Sequence, residues 1–293
     1  MSELRLDHCI VCGCEREFEL WATDIHRCTS CSLMVCLEPP SPEEIELIYS
    51  EGYFRGEEYF DYLEANSGIR QTLNRRRREV LARVDARERL LEVGCAYGYF
   101  LDSCRADFED VVGIDISRDA VSHARDKLEL DARVGDLVSA SFPGDWADAV
   151  CMWDTIEHLT DPSGYLAETR RILKPGGMLF LTTGDLSSIV ARVRGRRWRQ
   201  IHPNTHYFYF SRDTISRLLD RLGFDSLEFR TSANIHRLDS VFYNLKIRQN
   251  PLGRLGDIPL LKGVFSRVEL SIKLGDIMFV AARKPRNPRP AGS

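Results

Sequence analysis

From about residue 89 to 184 the chain alternates short apolar runs with stretches whose apolar positions recur at helical spacing. Leu90-Leu91-Glu92-Val93 reads as a buried strand ending at Gly94, and Tyr99 to about Ala106 as a helix. Val111 to Asp115 reads as a second strand, after which Ser117 predicts the N-cap of a helix running to about Leu130. Ala132-Arg133-Val134 is a third strand, ending before Gly135-Asp136, and Asp148 to Trp153 a fourth. Asp161-Pro162 has the cap-then-proline form of a helix start, and that helix ends before Lys174-Pro175-Gly176-Gly177. Met178 to Thr182 is a fifth strand. Later, Ser211 caps another helix, Phe224 to Phe229 reads as a strand, and Asp276 to Ala282 as its antiparallel neighbour. Strands alternating with helices at this spacing predict an α/β fold with a doubly wound, mostly parallel sheet, whose ligands lie at the carboxyl ends of the strands.

Composition changes this picture little. The 293 residues are 43% hydrophobic and carry a formal net charge of -4, so a nucleic-acid partner is not expected. No apolar run reaches the length of a membrane span, and Met1 to Asp7 lacks the apolar core of a signal peptide, so the expected location is the cytoplasm. The chain divides into residues 1–40, which hold most of the cysteines, a helical, aromatic-rich lid or linker at 41–88, the α/β domain at 89–284, and a proline-rich basic tail at 285–293 expected to be disordered.

Three acids fall at or just after strand ends: Glu92, Asp115 and Asp136. With them comes a glycine turn, Gly94-x-x-x-Gly98, where glycine lets the backbone approach a ligand closely. An acid at the end of the second strand suits ribose hydroxyls, and one after the third suits an adenine amino group. A nicotinamide site would need G-x-G-x-x-G to bring a pyrophosphate to a helix start, and that register is absent. A ligand without phosphate needs no such cradle, and Glu92 suits a cationic ammonium.

Glu92-Val93-Gly94-Cys95-Ala96-Tyr97-Gly98, Val112-Gly113-Ile114-Asp115 and Gly135-Asp136 together resemble the successive motifs of class I methyltransferases, with Ala96 where a middle glycine is usual. Asp154-Thr155-Ile156-Glu157-His158-Leu159-x-Asp161-Pro162 followed by Leu173-Lys174-Pro175-Gly176-Gly177 is similar to the ubiquinone-type and related small-molecule branch. The resemblance covers roughly residues 70 to 284. It implies a Rossmann-like seven-stranded sheet with an antiparallel last strand, and S-adenosylmethionine as methyl donor. The donor contacts it implies are Glu92, Gly94, Cys95, Ala96, Gly98, Asp115, Ile116, Asp136, Leu137, Trp153 and Asp154. In related enzymes the segment before the first strand folds over the donor, which places Tyr53 and Tyr62 there, within the aromatic-rich set Tyr49, Tyr53, Phe54, Tyr59, Phe60 and Tyr62.

Cys9-x2-Cys12 and Cys28-x2-Cys31 have the spacing of a four-cysteine zinc ribbon, whose closed tetrahedron makes a structural rather than catalytic site. Cys14 and Cys36 are spare, though Cys14 could compete with Cys12. A cysteine module ahead of such a domain resembles a bacterial group linked to polysaccharide and sugar methylation, which includes C-methyltransferases of nucleotide-linked deoxysugars. Those carry an additional C-terminal domain for which this chain has no room, so O-methylation is expected ahead of C- or N-methylation.

The acceptor must be aligned and, if it is a hydroxyl, deprotonated. His158 beside Glu157 is the first candidate base; the alternative is a histidine that only orders its loop. The second region is Trp198 to Phe210, where His206 is either a base or acceptor contact, or part of an aromatic packing segment. Arg192, Arg194, Arg196, Arg197 and Arg199 read as a solvated face or as a clamp for an anionic acceptor such as a sugar nucleotide or phosphorylated glycan. Arg75 to Arg78 are expected to spread around a helix without forming one patch. Pro259 to Ile272 reads as an amphipathic helix that packs on the core, contacts the partner in a homodimer or rests on a membrane surface, with core or partner packing favoured. The rivals are an RNA methyltransferase with a zinc module and a binding module without chemistry. Against the first stand the net charge and the lack of an Asn/Asp-Pro-Pro-Tyr motif after the fourth strand; against the second stands the intact acidic triad.

Overall fold

The computed structural model describes residues 8–15, 17–37, 40–41, 44–45, 48, 67–232, 234–237, 269–272 and 274–287. The amino-terminal part forms β1 (Phe18–Ala22), β2 (Ile25–Cys28) and β3 (Met34–Cys36), joined antiparallel in that order. Helix α1 (Ser67–Leu81) follows, then β4 (Arg89–Val93), α2 (Tyr99–Cys104), β5 (Asp110–Asp115), α3 (Arg118–Leu128), β6 (Asp131–Val134) and β7 (Ala147–Trp153). After a short 3-10 turn at Ile156–His158 come α4 (Pro162–Ile172), β8 (Leu173–Gly184), α5 (Ile189–Arg194), β9 (Phe208–Tyr209), α6 (Arg212–Arg221), β10 (Asp225–Thr231), β11 (Asn234–Arg237), β12 (Glu269–Ile272) and β13 (Ile277–Arg283).

The seven-stranded sheet has the order β10-β13-β8-β7-β4-β5-β6. Its pairs from β8 through β6 are parallel, and β13 runs antiparallel to both β8 and β10. The chain leaves β4 toward β5 and β6, then returns to β7 on the other side of β4. That reversal opens the crevice where doubly wound sheets bind ligands. Local signals set the helix starts: Ser117 accepts from Ala120 N–H, Asp161 from Gly164 N–H ahead of Pro162, and Ser211 from Thr214 N–H.

Side-chain alternation divides the core into two layers. Leu91, Val93, Val150, Met152, Leu179, Leu181, Met278 and Val280 pack on one face of the sheet. Leu90, Cys151, Trp153, Phe180, Phe279 and Ala281 pack on the other, under α1. The first layer is continuous with the amino-terminal module: Cys9, Cys28, Leu33, Met34 and Val35 belong to the same apolar cluster.

Several expectations change. Lys174 to Gly177, expected to lie between the helix and the fifth strand, belongs to β8, where a register shift absorbs it and Gly176 and Gly177 bond the Lys284 backbone. The last four residues of the expected helix at Pro259 to Ile272 form β12 on β11, because Glu269-Leu270-Ser271-Ile272 alternates with period two. The rest of that segment lies outside the described residues. Phe208–Tyr209, expected only within the segment Trp198 to Phe210, is a strand that pairs with β3, making a four-stranded sheet β1-β2-β3-β9. Arg286 reaches Asp85 at 2.7 Å, so the tail begins on an ion pair. Among the described residues no helix is long and apolar enough to cross a membrane.

Candidate functional site at the carboxyl edge of the sheet

The turn after β4 is held open by its glycines. Gly94 has φ 74°, and a Cβ there would lie 2.6 Å from Thr155 Oγ1; Gly98 has φ 80°, and a Cβ would lie 2.6 Å from Leu130 Cδ1. Ala96, where the resemblance expects glycine, adopts φ 46°, a left-handed conformation that costs an alanine roughly 1–2 kcal/mol. Asp115 at the end of β5 holds this strained residue: its Oδ2 accepts the Ala96 N–H at 2.8 Å, and its Oδ1 accepts the Ser117 N–H at 2.8 Å. Burial raises the Asp115 carboxyl above its ordinary value against these bonds.

Glu92 is 4% exposed, and its Oε2 has no hydrogen-bond partner among the described residues. Burial raises its carboxyl well above the usual range, with Arg76 opposing. Such an orphaned acid beside the turn fits a cationic group. Next to Asp115, Ile116, Val134 and Val138 leave large apolar side chains exposed at the sheet edge, where an aromatic base could cover them. Leu137 is fully buried, and Cys95 is a buried thiol raised well above its ordinary value by desolvation. Asp136 is turned onto its own loop, its Oδ1 accepting Val138 and Ser139 N–H and its Oδ2 the Ser139 hydroxyl.

At the end of β7, Trp153 and Asp154 meet α1. Arg76 Nη2 lies 2.6 Å from Asp154 Oδ2 and its guanidinium 5.0 Å from the centre of the Trp153 ring. Thr182 donates to Asp154 Oδ1 at 2.9 Å. Arg76 is a site residue that the sequence reading missed. Its position in an arginine run carried no signal of its pairing with a residue 78 positions away.

The acceptor candidates come together. Glu157, His158 and His206 offer ligand atoms within 4.8 Å of one another, and the two imidazoles meet edge-to-face at 4.6 Å between centroids. His158 Nδ1 bonds the Thr205 carbonyl at 2.8 Å and His206 Nδ1 the Gln200 carbonyl at 2.9 Å. A carbonyl accepts only, so each Nδ1 carries the proton and each Nε2 is the basic nitrogen. Burial pulls the His158 imidazole down to about 4, against the Thr205 carbonyl and Asp154. Burial, then His158 and His202, hold His206 well below the ordinary histidine value. Burial and then the charge of Asp154 push the Glu157 carboxyl up to about 8; its Oε2 is buried with no hydrogen-bond partner among the described residues. Two neutral imidazoles and this acid form a basic, water-poor wall, and they are also a donor set a divalent cation accepts.

The wall rests on the amino-terminal module. Cys36 N–H donates to the Tyr207 carbonyl, and Tyr207 N–H donates to the Glu157 carbonyl, both at 2.8 Å. In that module the sulfurs of Cys9, Cys12, Cys28 and Cys31 lie within 4.8 Å of one another, as four thiolates around one tetrahedral metal require. Cys14 Sγ lies 3.4 Å from Cys28 Sγ, beside the set.

Of the arginines in the run from Arg192, Arg199 pairs with Asp276 at 2.8 Å, and Arg196 bonds the Trp21 carbonyl and lies over the Trp21 ring. Arg75 to Arg78 spread around α1 without forming one patch: Arg75 and Arg78 line one groove, while Arg76 pairs with Asp154 and Arg77 with Asp107. Tyr53 and Tyr62, with Tyr49, Phe54, Tyr59 and Phe60, lie outside the described residues.

Comparison with known proteins agrees with this architecture. The chain is 28% identical to a ubiquinone biosynthesis O-methyltransferase of Cereibacter sphaeroides over 48% of its own length and 61% of that protein's. It is 36% identical to the one from Xanthomonas oryzae pv. oryzae over 36% of its own length and 46% of that protein's. The chain thus spans about half the length of these curated relatives. Among solved structures, a SAM-dependent methyltransferase from Archaeoglobus fulgidus superposes with a TM-score of 0.52 at 19% identity, covering 78% of this chain and all 100% of that one. The [4+2]-cyclase SpnF also superposes with a TM-score of 0.52, at 22% identity over 73% of this chain and 81% of that one. The fold therefore hosts more than one chemistry. A family model described as "methyltransferase domain" matches residues 65–228, and the chain belongs to that methyltransferase family.

Proposed function

We propose that the protein transfers a methyl group from S-adenosylmethionine to a hydroxyl of a small anionic acceptor, a sugar nucleotide or lipid-linked glycan precursor. The observation that carries this is the pair His158 and His206, each with Nδ1–H fixed on a backbone carbonyl and Nε2 basic, at the carboxyl edge where the sheet binds its ligand. The donor, when bound, supplies an electrophilic methyl group on a sulfonium. The Glu92 acid, whose Oε2 has no partner among the described residues, the glycine turn and the exposed Ile116 fit a donor with an ammonium and an adenine but no phosphate. In this reading Gly94, Cys95, Ala96 and Gly98 line the donor, and Asp115 holds the turn and meets the ribose. Asp136 and Leu137 border the adenine, and Trp153 and Asp154, fixed by Arg76, close the floor.

His158 or His206 takes the hydroxyl proton as the acceptor oxygen bonds the methyl carbon and the carbon–sulfur bond breaks, its electron pair staying on sulfur. Glu157, its carboxyl pushed up to about 8 by burial and by Asp154, lies beside both imidazoles as the acid of the wall. Zn2+, held by Cys9, Cys12, Cys28 and Cys31, would stabilise the amino-terminal module, whose β3 pairs with β9 beside the wall. The test is transfer of a labelled methyl group from S-adenosylmethionine to a panel of nucleotide sugars and isoprenyl-linked sugars, with formation of S-adenosylhomocysteine as the second readout. Turnover of a sugar hydroxyl that falls 100-fold or more in His158→Ala or His206→Ala supports the assignment. Full activity in both variants refutes the base assignment, and transfer to RNA alone refutes the acceptor class.

A further inference from the structure

The two most exposed large apolar side chains among the described residues sit on one short helix, α5, which the methyl-transfer reading does not use. Ile189 is 79% and Val193 81% exposed. Four residues apart, they share one face of the helix. Ala191, 4% exposed, docks the other side of α5, and Ser188 caps its start by accepting the Ala191 N–H. The helix ends at Gly195, where φ is 51° and no described atom lies within 4 Å of the place a Cβ would take. The apolar pair is thus held outward on a well-anchored turn.

The charge around it is of one sign. Arg192, Arg194, Arg196 and Arg197 are all exposed, and Arg192 lies three residues from Ile189, on the same side of the helix. From Leu186 to Arg212 the chain carries no acid. The acids that Arg199 and Arg212 meet, Asp276 and Asp185, are buried. Among the described residues no acid pairs with Arg192, Arg194, Arg196 or Arg197, and Arg196 is taken up by the Trp21 carbonyl and ring. Apolar side chains set among arginines are the arrangement of a peripheral membrane contact. A bilayer of anionic lipids offers unbroken negative charge above an apolar interior, which matches both halves of the patch. A protein surface of mixed charge matches the arginines less well.

We propose that α5 and the turn after it are a docking surface for an anionic lipid bilayer. Ile189 and Val193 enter the apolar boundary, and Arg192, Arg194 and Arg197 meet the head-group phosphates. This goes beyond the methyl-transfer reading, since docking does not depend on which acceptor is methylated. The surface ends at Arg197, directly before Trp198, which opens the segment that carries His206. Docking would hold that segment at the lipid surface, where a lipid-linked acceptor presents its head group.

The experiment floats the full chain with phosphatidylcholine vesicles, with and without phosphatidylglycerol. Wild type is compared with the double variant Ile189→Ser, Val193→Ser and the triple variant Arg192→Gln, Arg194→Gln, Arg197→Gln. All these positions are exposed, so the melting temperature and the S-adenosylhomocysteine affinity should stay at the wild-type values. Wild type should bind vesicles that contain phosphatidylglycerol, far less those of phosphatidylcholine alone, and lose affinity as salt rises. An arginine near an anionic surface contributes roughly five-fold, so the triple variant should bind about 100-fold more weakly. The double variant should bind at least about ten-fold more weakly with its salt dependence kept. No binding to anionic vesicles, or equal binding by wild type and either variant, overturns the proposal. A dimer in sedimentation velocity that the double variant separates, with no vesicle binding, gives the patch to a second copy of the chain and overturns it as well. Loss of S-adenosylhomocysteine binding in wild type would sink methyl transfer while the flotation result is still read.

Discussion

Replacing Asp276 tests how the acceptor wall is held. This residue, 1% exposed, precedes β13 and accepts three hydrogen bonds: from Arg199 Nε at 2.8 Å, Arg199 Nη2 at 3.0 Å and Trp198 Nε1 at 3.0 Å. Trp198 and Arg199 begin the segment that ends in His206 and β9. In Asp276→Ala the indole N–H, on a tryptophan only 3% exposed, loses its acceptor, which costs about 1–3 kcal/mol. The guanidinium loses its carboxylate, but its side chain is 29% exposed and recovers water. Its share therefore falls below the roughly 3–5 kcal/mol of a fully buried pair. Together these give a loss of about 3–4 kcal/mol by urea denaturation. Asp276→Asn keeps an acceptor for Trp198 and should lose about half as much.

The same pair predicts a pH dependence. Burial pushes the Asp276 carboxyl up, but the Arg199 and Trp198 hydrogen bonds with the Arg199 charge leave it below the ordinary aspartate value. A depressed folded-state pKa means that the contribution is complete above the unfolded value and is lost as pH falls through the folded one. Asp276→Asn should flatten that acid limb. A double-mutant cycle with Arg199→Ala should show a coupling of at least about 1 kcal/mol. A loss under 1 kcal/mol in Asp276→Ala, or a coupling near zero, would refute the reasoning.

Three more outcomes are expected. With His158 held near 4, the acid limb of kcat/KM should lie near pH 4–5, and a limb near the ordinary histidine value of about 6.5 would remove His158 as base. Asp115→Asn should weaken S-adenosylhomocysteine binding at least about ten-fold, because an amide can present N–H to the Ala96 N–H that the carboxylate now accepts; unchanged affinity would exclude Asp115 from the donor site. Elemental analysis should give one zinc per chain, and chelation should broaden the His206 imidazole NMR signals through β3 and β9 while S-adenosylhomocysteine still binds; a metal-free, fully active protein would end the zinc assignment.

The strands around the Glu92–Gly98 turn, their helices and the caps at Ser117, Asp161 and Ser211 were legible in the sequence. Each rests on a local period of two or 3.6, or on a side chain bonding its own backbone three residues away. The four cysteines were legible from spacing, and the acids Glu92 and Asp115 from their position at strand ends. The sequence was ambiguous about His158 and His206, since a lone histidine looks the same whether it packs or reacts. Only packing set their tautomers, through Thr205 and Gln200. Ala96 was visible as a departure, but its left-handed backbone and the Asp115 bond that holds it were not.

What the sequence alone determined is the type of sheet and the turn at its centre, because a strand's burial pattern and a glycine's freedom act within a few residues. What only the tertiary structure decided is which distant groups meet. Phe208–Tyr209 completes the sheet of the cysteine module, Asp276 captures Arg199, Arg76 captures Asp154, and Arg75 and Arg78 join Arg230 along one groove. Each of these contacts joins segments far apart in the chain, so no local period records it. A buried carboxylate or an unpaired strand edge must find a partner somewhere, and the closing of the core decides where.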